Sequence, residues 1–122
     1  DLNHLIEDCG AFTFDPLDDY PDFITPAAKK VASTINSRGI ILGGSGQGEA
    51  IAANRIQGIR AAVYYGGPRE IVKLSRLHNN ANILSLGARF IVKEDIIDII
   101  SLWLSEPFEG GRHEQRIKKL DD

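Results

Sequence analysis

The segment Arg38-Gly-Ile-Ile-Leu-Gly-Gly44 is a short apolar run that ends in glycine, and Glu49 to Ile56 behind it has helical spacing. A buried strand that turns through glycines into a helix opens a βα unit, and such units repeat around a parallel sheet. The chain repeats the pattern. Ile59-Arg-Ala-Ala-Val-Tyr-Tyr65 reads as a second strand closed by Gly66-Gly67-Pro68, Arg69 to Leu77 as a helix, and Asn82-Ile-Leu-Ser-Leu86 as a third strand closed by Gly87. Asp95 to Leu104 carries a broad apolar stripe (Ile96, Ile97, Ile99, Ile100, Trp103, Leu104), read as core or subunit interface. Pro107 and Gly110-Gly111 break the chain before a last short helix, Arg112 to Leu120. Upstream, Tyr20 to Ala32 reads as a helix with Pro26 near its start.

These elements imply an α/β chain with a flavodoxin-like, doubly wound parallel sheet whose strands are buried on both faces. Leu2-Asn-His-Leu-Ile6 reads as the end of a helix, His4 on its surface, and Ala11-Phe-Thr-Phe14 as a further strand. In the order 2-1-3-4-5 a first strand belongs between the Ala11 strand and the Arg38 strand; without it the gap is about 9.6 Å, with unpaired backbone on both lips. The first strand is therefore expected upstream of Asp1, and residues 1–122 are read as one N-terminally incomplete domain.

Composition removes several function classes. Fourteen Lys plus Arg against seventeen Asp plus Glu give a net charge of -3, so no overall positive field draws the chain to nucleic acid or anionic lipid. No apolar run approaches the roughly 18 to 20 residues of a membrane span, and the N-terminus has no signal-peptide pattern, so a cytoplasmic location is expected. Cys9 is the single cysteine, which leaves no internal disulfide and no thiolate metal cluster.

The glycine loop Gly43-Gly-Ser-Gly-Gln-Gly-Glu49 puts free backbone N–H groups at a helix start, a cradle for an anion or an oxyanion. A nucleotide P-loop would end in Gly-Lys-Ser or Gly-Lys-Thr, whereas Glu49 follows Gly48 and repels phosphate. A dinucleotide fingerprint needs a third glycine where Glu49 stands. The remaining use is to surround a small substrate with the amides of Gly44, Gly46 and Gly48 while Glu49 moves a proton; the bland alternative is a solvated carboxylate favoured by the helix dipole.

Five blocks, Gly43 to Asn54, Gly58-Ile-Arg-Ala-Ala62, Ser75-Arg-Leu-His-Asn-Asn-Ala-Asn82, Leu86-Gly-Ala-Arg89 and Phe108-Glu-Gly-Gly-Arg-His-Glu-Gln-Arg116, resemble in order and spacing the type B ribose-5-phosphate isomerases and their galactose-6-phosphate isomerase relatives. Asp19-Tyr-Pro-Asp-Phe23 resembles the upstream motif of the same family, and the likeness runs from about Leu2 to Leu120 with a small insertion near Tyr65 to Pro68.

The resemblance implies a cytoplasmic aldose–ketose isomerase of pentose phosphate metabolism, a dimer or dimer of dimers with shared sites, working without metal or cofactor. Glu49 stands where one branch has its catalytic base; another branch uses a cysteine at the position of Gly43. Ser45 corresponds to the residue that helps move a proton between sugar oxygens, His78 to the ring-opening histidine, and Asn79 to its substrate-side neighbour. Arg112 and Arg116 correspond to arginines that grip the substrate phosphate from the partner subunit, which makes residues 106–122 a partner-contacting tail. Arg89 matches the phosphate region, and Tyr20 and His113 match substrate-side positions. On residue type alone, His78 is also a helix-end histidine, and Arg112 and Arg116 a solvated basic tail balanced by Glu109 and Glu114. The family's first strand ends in an Asp-His pair with no counterpart between Asp1 and Asp122. Ribose 5-phosphate is the expected substrate; a hexose 6-phosphate, or a non-catalytic sugar-phosphate-binding role beside an unlike chain, are the alternatives.

Overall fold

A computed structural model describes residues 4–121. The elements follow the order α1 (Pro21–Ser33), β1 (Gly39–Gly43), α2 (Gln47–Asn54), β2 (Ala61–Tyr64), α3 (Glu70–Leu77), β3 (Ile83–Gly87), α4 (Lys93–Ser105) and α5 (Arg112–Lys118), with single 3-10 turns at Ala88–Phe90 and Lys119–Asp121. All three strands are parallel, as expected of βα units.

Helices cover both faces of the sheet. Ala28, Ile41, Ala53, Ile59 and Ile83 form one core beneath α1 and α2, while Val72, Leu84, Leu86, Ile99 and Trp103 form the other beneath α3 and α4. The period-two alternation along β3 sends Ile83 to the first core and Leu84 and Leu86 to the second, and all five β3 residues are buried. Trp103 is fully buried, and the Arg38 guanidinium lies 5.5 Å from its ring centre.

Three expectations are corrected. The strand order is β1-β3-β2, so the third strand occupies the middle, where a 2-1-3-4-5 order would run these three in sequence. The most buried strand takes the place flanked on both sides, which satisfies both of its backbone edges. Burial on both faces holds for β3 but not for β1, which is an edge strand among the described residues and whose Ile40 and Leu42 are exposed because α3 and α4 pack over β2 and β3. Finally, Ala11 to Phe14 form no strand and His4 to Ile6 no helix: these residues are irregular and exposed, with no neighbouring strand among the described residues to take their backbone groups. Leu2 and Asn3 lie outside the described residues.

No helix among the described residues is long and apolar enough to cross a membrane. Cys9 is a free, half-buried thiol.

Candidate active site

The β1–β3 register pairs Gly43 with Gly87 and Gly39 with Ile83, so the strands share a carboxyl edge and an amino edge. At the carboxyl edge β1 hands over to the glycine loop. Gly46 caps α2 in the left-handed region at φ 76°, a conformation glycine adopts without a Cβ clash. It is pinned from below: the fully buried Ser85 donates its Oγ hydrogen to the Gly46 carbonyl at 2.6 Å. The Ser45 Oγ accepts from the Gln47 amide at 3.2 Å, satisfying one donor of the first turn. The amides of Gly48 and Glu49 have no acceptor among the described residues, so one of the three anticipated glycine donors, Gly48, is free, and the Glu49 amide, which was not anticipated, stands beside it.

Glu49 is half-buried in that first turn, and its carboxylate folds back over β1. A Cβ built on Gly43 would come within 2.5 Å of both carboxylate oxygens. Gly43 does not adopt a positive φ, so its role here is spatial: it leaves room for the acid. Arg89 joins the same edge, its amide donating to the Gly44 carbonyl at 3.1 Å and its guanidinium lying against the Gly44 Cα. Tyr20, at the start of α1, sets its ring and hydroxyl against Gly48. Tyr65 and Phe90 meet edge to face at 6.1 Å and line the rim beside Gly87.

The other candidates lie at the opposite edge. Helix α3 leaves the carboxyl end of β2 and returns to the amino end of β3, and His78 caps it there. A strand of five residues separates the two edges by about 13 Å. His78 stacks on His113 of α5, ring centres 4.3 Å apart and planes 15° from parallel. Glu109 stands 3.8 Å from His78 Nε2, and its amide donates to the Leu77 carbonyl at 3.0 Å. Arg112 and Arg116 extend from α5 beside this pair, both exposed, and Asn79 is exposed next to His78. The tail stays close to its own chain, since the Gly58 amide donates to Asp121 Oδ1 at 3.1 Å.

His113 is buried, and its Nε2 has no hydrogen-bond partner among the described residues. Burial lowers its pKa from the ordinary histidine value; His78, Arg112 and Arg116 push the same way and Glu109 opposes them, so the ring is neutral near pH 7.

Glu109, His78 and His113 are the one group of three metal-ligating side chains among the described residues, with ligand atoms within 4.8 Å of one another. Two nearly parallel rings aim their nitrogens side by side instead of converging on a point, so a tetrahedral ion would require one ring to turn.

The structure thus gathers Glu49, Ser45, Gly44, Gly46, Gly48, Arg89 and Tyr20 at one edge, and His78, Asn79, His113, Arg112 and Arg116 at the other. Sequence reasoning did not single out Ser85, which carried no motif signal, or Glu109, which was read only as a counter-charge. The spatial role of Gly43 had one signal, in the resemblance, which implies a cysteine at this position in one branch and a base at position 49 in another.

A family profile described as Ribose/Galactose Isomerase matches residues 1–120. The chain is 42% identical over 113 residues to a probable ribose-5-phosphate isomerase B of Mycoplasma pneumoniae, covering 93% of this chain and 73% of that protein. It is 39% identical over 114 residues to the ribose-5-phosphate isomerase B of Mycobacterium tuberculosis, covering 93% and 69%. Among solved structures, the Thermotoga maritima ribose 5-phosphate isomerase superposes with a TM-score of 0.85 at 44% identity, over 94% of this chain and 77% of that one. Ribose-5-phosphate isomerase B from Mycoplasma genitalium, solved with bound ribulose-5-phosphate, gives 0.83 at 40% identity, over 91% and 72%. With one profile spanning nearly the whole chain and relatives agreeing in both sequence and fold, this chain belongs to the ribose/galactose isomerase family.

Proposed function

We propose that the protein interconverts ribose 5-phosphate and ribulose 5-phosphate in a site assembled from two copies of the chain. As a member of its family it is an aldose–ketose isomerase. The substrate is assigned from the relatives' activity and from the ribulose-5-phosphate bound by the Mycoplasma genitalium protein.

The observation that carries the two-copy reading is the separation of the candidate residues. Glu49 and His78 lie at opposite edges of one sheet, about 13 Å apart along the strands, with the packed sheet and its helices between them. A five-carbon sugar phosphate cannot use both from one chain. If the carboxyl edge of one copy faces the amino edge of another, base, ring-opening histidine and phosphate grip meet. The tail, residues 106–122, then acts as the partner-contacting element that delivers Arg112 and Arg116. Two symmetric contacts close a dimer with two such sites.

Within that site His78 passes a proton between the ring oxygen and the anomeric hydroxyl as the furanose opens. Glu49 then takes the C2 proton of the aldose, the developing O1 charge is held by loop amides, and Ser45 relays a proton between O1 and O2. Glu49 returns its proton to C1, giving the ketose with every atom retained. Arg112 and Arg116, four positions apart on one helix face, present two guanidinium forks to the phosphate, with Arg89 contributing from the other copy. His113 packs against His78 and holds its orientation, and Tyr20 walls the sugar side at Gly48.

The test is ketose formation from ribose 5-phosphate by the full-length protein, run with and without chelator and compared with a six-carbon 6-phosphate. Turnover of the pentose that survives chelation and collapses in Glu49→Gln is expected. An unchanged rate in Glu49→Gln removes Glu49 as base, and a preference for the hexose reassigns the substrate.

A further inference from the structure

The amino edge of the sheet holds a basic feature that the isomerase reading leaves unused. Arg38 immediately precedes β1, Arg60 immediately precedes β2, and Arg76 lies in the last turn of α3. All three line one cavity of about 360 Å³, together with Asn36, Asn80 and Asn82 among others, and no carboxylate among the described residues lines it.

Each guanidinium is fixed by backbone carbonyls, which hold it in place without neutralising it. Arg38 Nη1 donates to the Trp103 and Leu104 carbonyls at 3.1 and 3.0 Å, at the carbonyl-rich end of α4. Arg60 Nε donates to the Asn80 carbonyl at 2.8 Å. Arg76, 5% exposed, donates from Nη1 to the Ala81 carbonyl at 2.7 Å and to Asn80 Oδ1 at 2.8 Å, and from Nε to the Glu106 carbonyl at 3.0 Å. Among the described residues none of the three has a carboxylate within 4.0 Å, and the Nη2 groups make no hydrogen bond.

Three cations gathered in one partly buried cavity repel one another. The Arg76 pKa is drawn down to about 10, by burial first and then by the fields of Arg38 and Arg60. Asp121 reaches Arg60 with an opposing field but does not line the cavity. An anion with two or more charges would relieve that repulsion and use the free Nη2 donors, with asparagine amides for its uncharged neighbours.

We propose that this cavity is a second anion site, for the phosphate of a small phosphorylated metabolite, separate from the sugar-phosphate grip at Arg112 and Arg116, neither of which lines it. Pre-placed guanidiniums favour a tetrahedral, polyvalent phosphate over a halide, and the volume leaves room for a polar group beyond the phosphate.

The probe is inorganic pyrophosphate, with orthophosphate beside it, titrated calorimetrically into the full-length protein carrying Arg112→Ala and Arg116→Ala. Binding at one equivalent per chain is expected to persist there and to weaken with salt. Arg38→Gln and, separately, Asn36→Asp are expected to raise the dissociation constant about tenfold or more, as lost or opposed charge-assisted hydrogen bonds do. Asn36 is exposed and makes no recorded packing contact with the cores, so that variant keeps the test valid if Arg38→Gln loosens α4. Tighter binding of pyrophosphate than orthophosphate points to a metabolite bearing linked phosphates, and the reverse order to a phosphate monoester. Binding that vanishes with Arg112→Ala and Arg116→Ala, that ignores both rim variants, or that is absent throughout overturns the proposal. Because the readout is binding, a failure of the protein to isomerise ribose 5-phosphate would leave this result standing by itself.

Discussion

Gly43→Ala isolates the position of the Glu49 carboxylate from its chemistry. The added methyl would stand 2.5 Å from either Glu49 oxygen. Ordinary carbon contacts begin near 3.5 Å, so the carboxylate must withdraw by roughly 1 Å. It is the end of a flexible side chain and can withdraw without moving the strand, and Gly43 has no positive φ to make alanine strained. Stability should therefore change by no more than about 1 kcal/mol. A base displaced by that distance loses about 10²-fold in rate, or ~2.7 kcal/mol of barrier. Steady-state kinetics on ribose 5-phosphate should show the loss in kcat with KM little changed, since the proposed phosphate grip at Arg112 and Arg116 lies elsewhere. In a Glu49→Gln background the same alanine should add almost nothing, because the two changes act on one group. Gly39→Ala, at the far end of the same strand, serves as control: its methyl meets the Ile83 and Val31 side chains at 3.1 Å and should affect melting more than turnover. A Gly43→Ala enzyme with kcat within about threefold of wild type would refute the reasoning, since a misplaced base cannot work at full rate.

Mixing the Arg112→Ala and Glu49→Gln proteins should restore about a quarter of wild-type activity once subunits exchange, because half the dimers are then hybrids with one intact site of two; no recovery despite proven exchange contradicts the two-copy site. Since the folded-state pKa of His113 is depressed by burial and by His78, the unfolded chain binds its proton first as pH falls. Thermal stability should therefore decline as pH drops below about 6.5, the unfolded histidine value, until the folded pKa is passed, and His113→Gln should flatten that part of the melting profile. Ser85→Ala removes the donor to the Gly46 carbonyl in a fully buried place and should cost about 1–3 kcal/mol in denaturant unfolding.

The fold was legible where local chemistry and burial agree. Leu84 and Leu86 in β3, the glycine turn after β1 and the apolar stripe of α4 each follow from spacing alone, and each element lies within a few residues of its sequence reading. Strand order was not legible, because the sequence of apolar runs is the same whether β3 pairs outside β2 or slips between β1 and β2; long-range packing decides it. Ala11 to Phe14 have strand composition yet no strand, because pairing depends on a neighbour that the local residues do not specify. For the candidate site, residue types were legible and grouping was not. Nothing in the spacing of Glu49 and His78 reveals that the sheet lies between them; that follows from the direction of α3. Ser85 was missed because a serine in an apolar strand reads as a polar interruption until the Gly46 carbonyl is found above it.

Proton transfer itself can be followed by NMR of ribose 5-phosphate in deuterated water. If Glu49 carries hydrogen between the carbons through an enediolate, the wild-type protein should exchange the C2 hydrogen of the aldose for deuterium, and Glu49→Gln, though still binding the sugar phosphate, should leave it in place. Undiminished exchange in the Glu49→Gln protein would contradict the account at its centre.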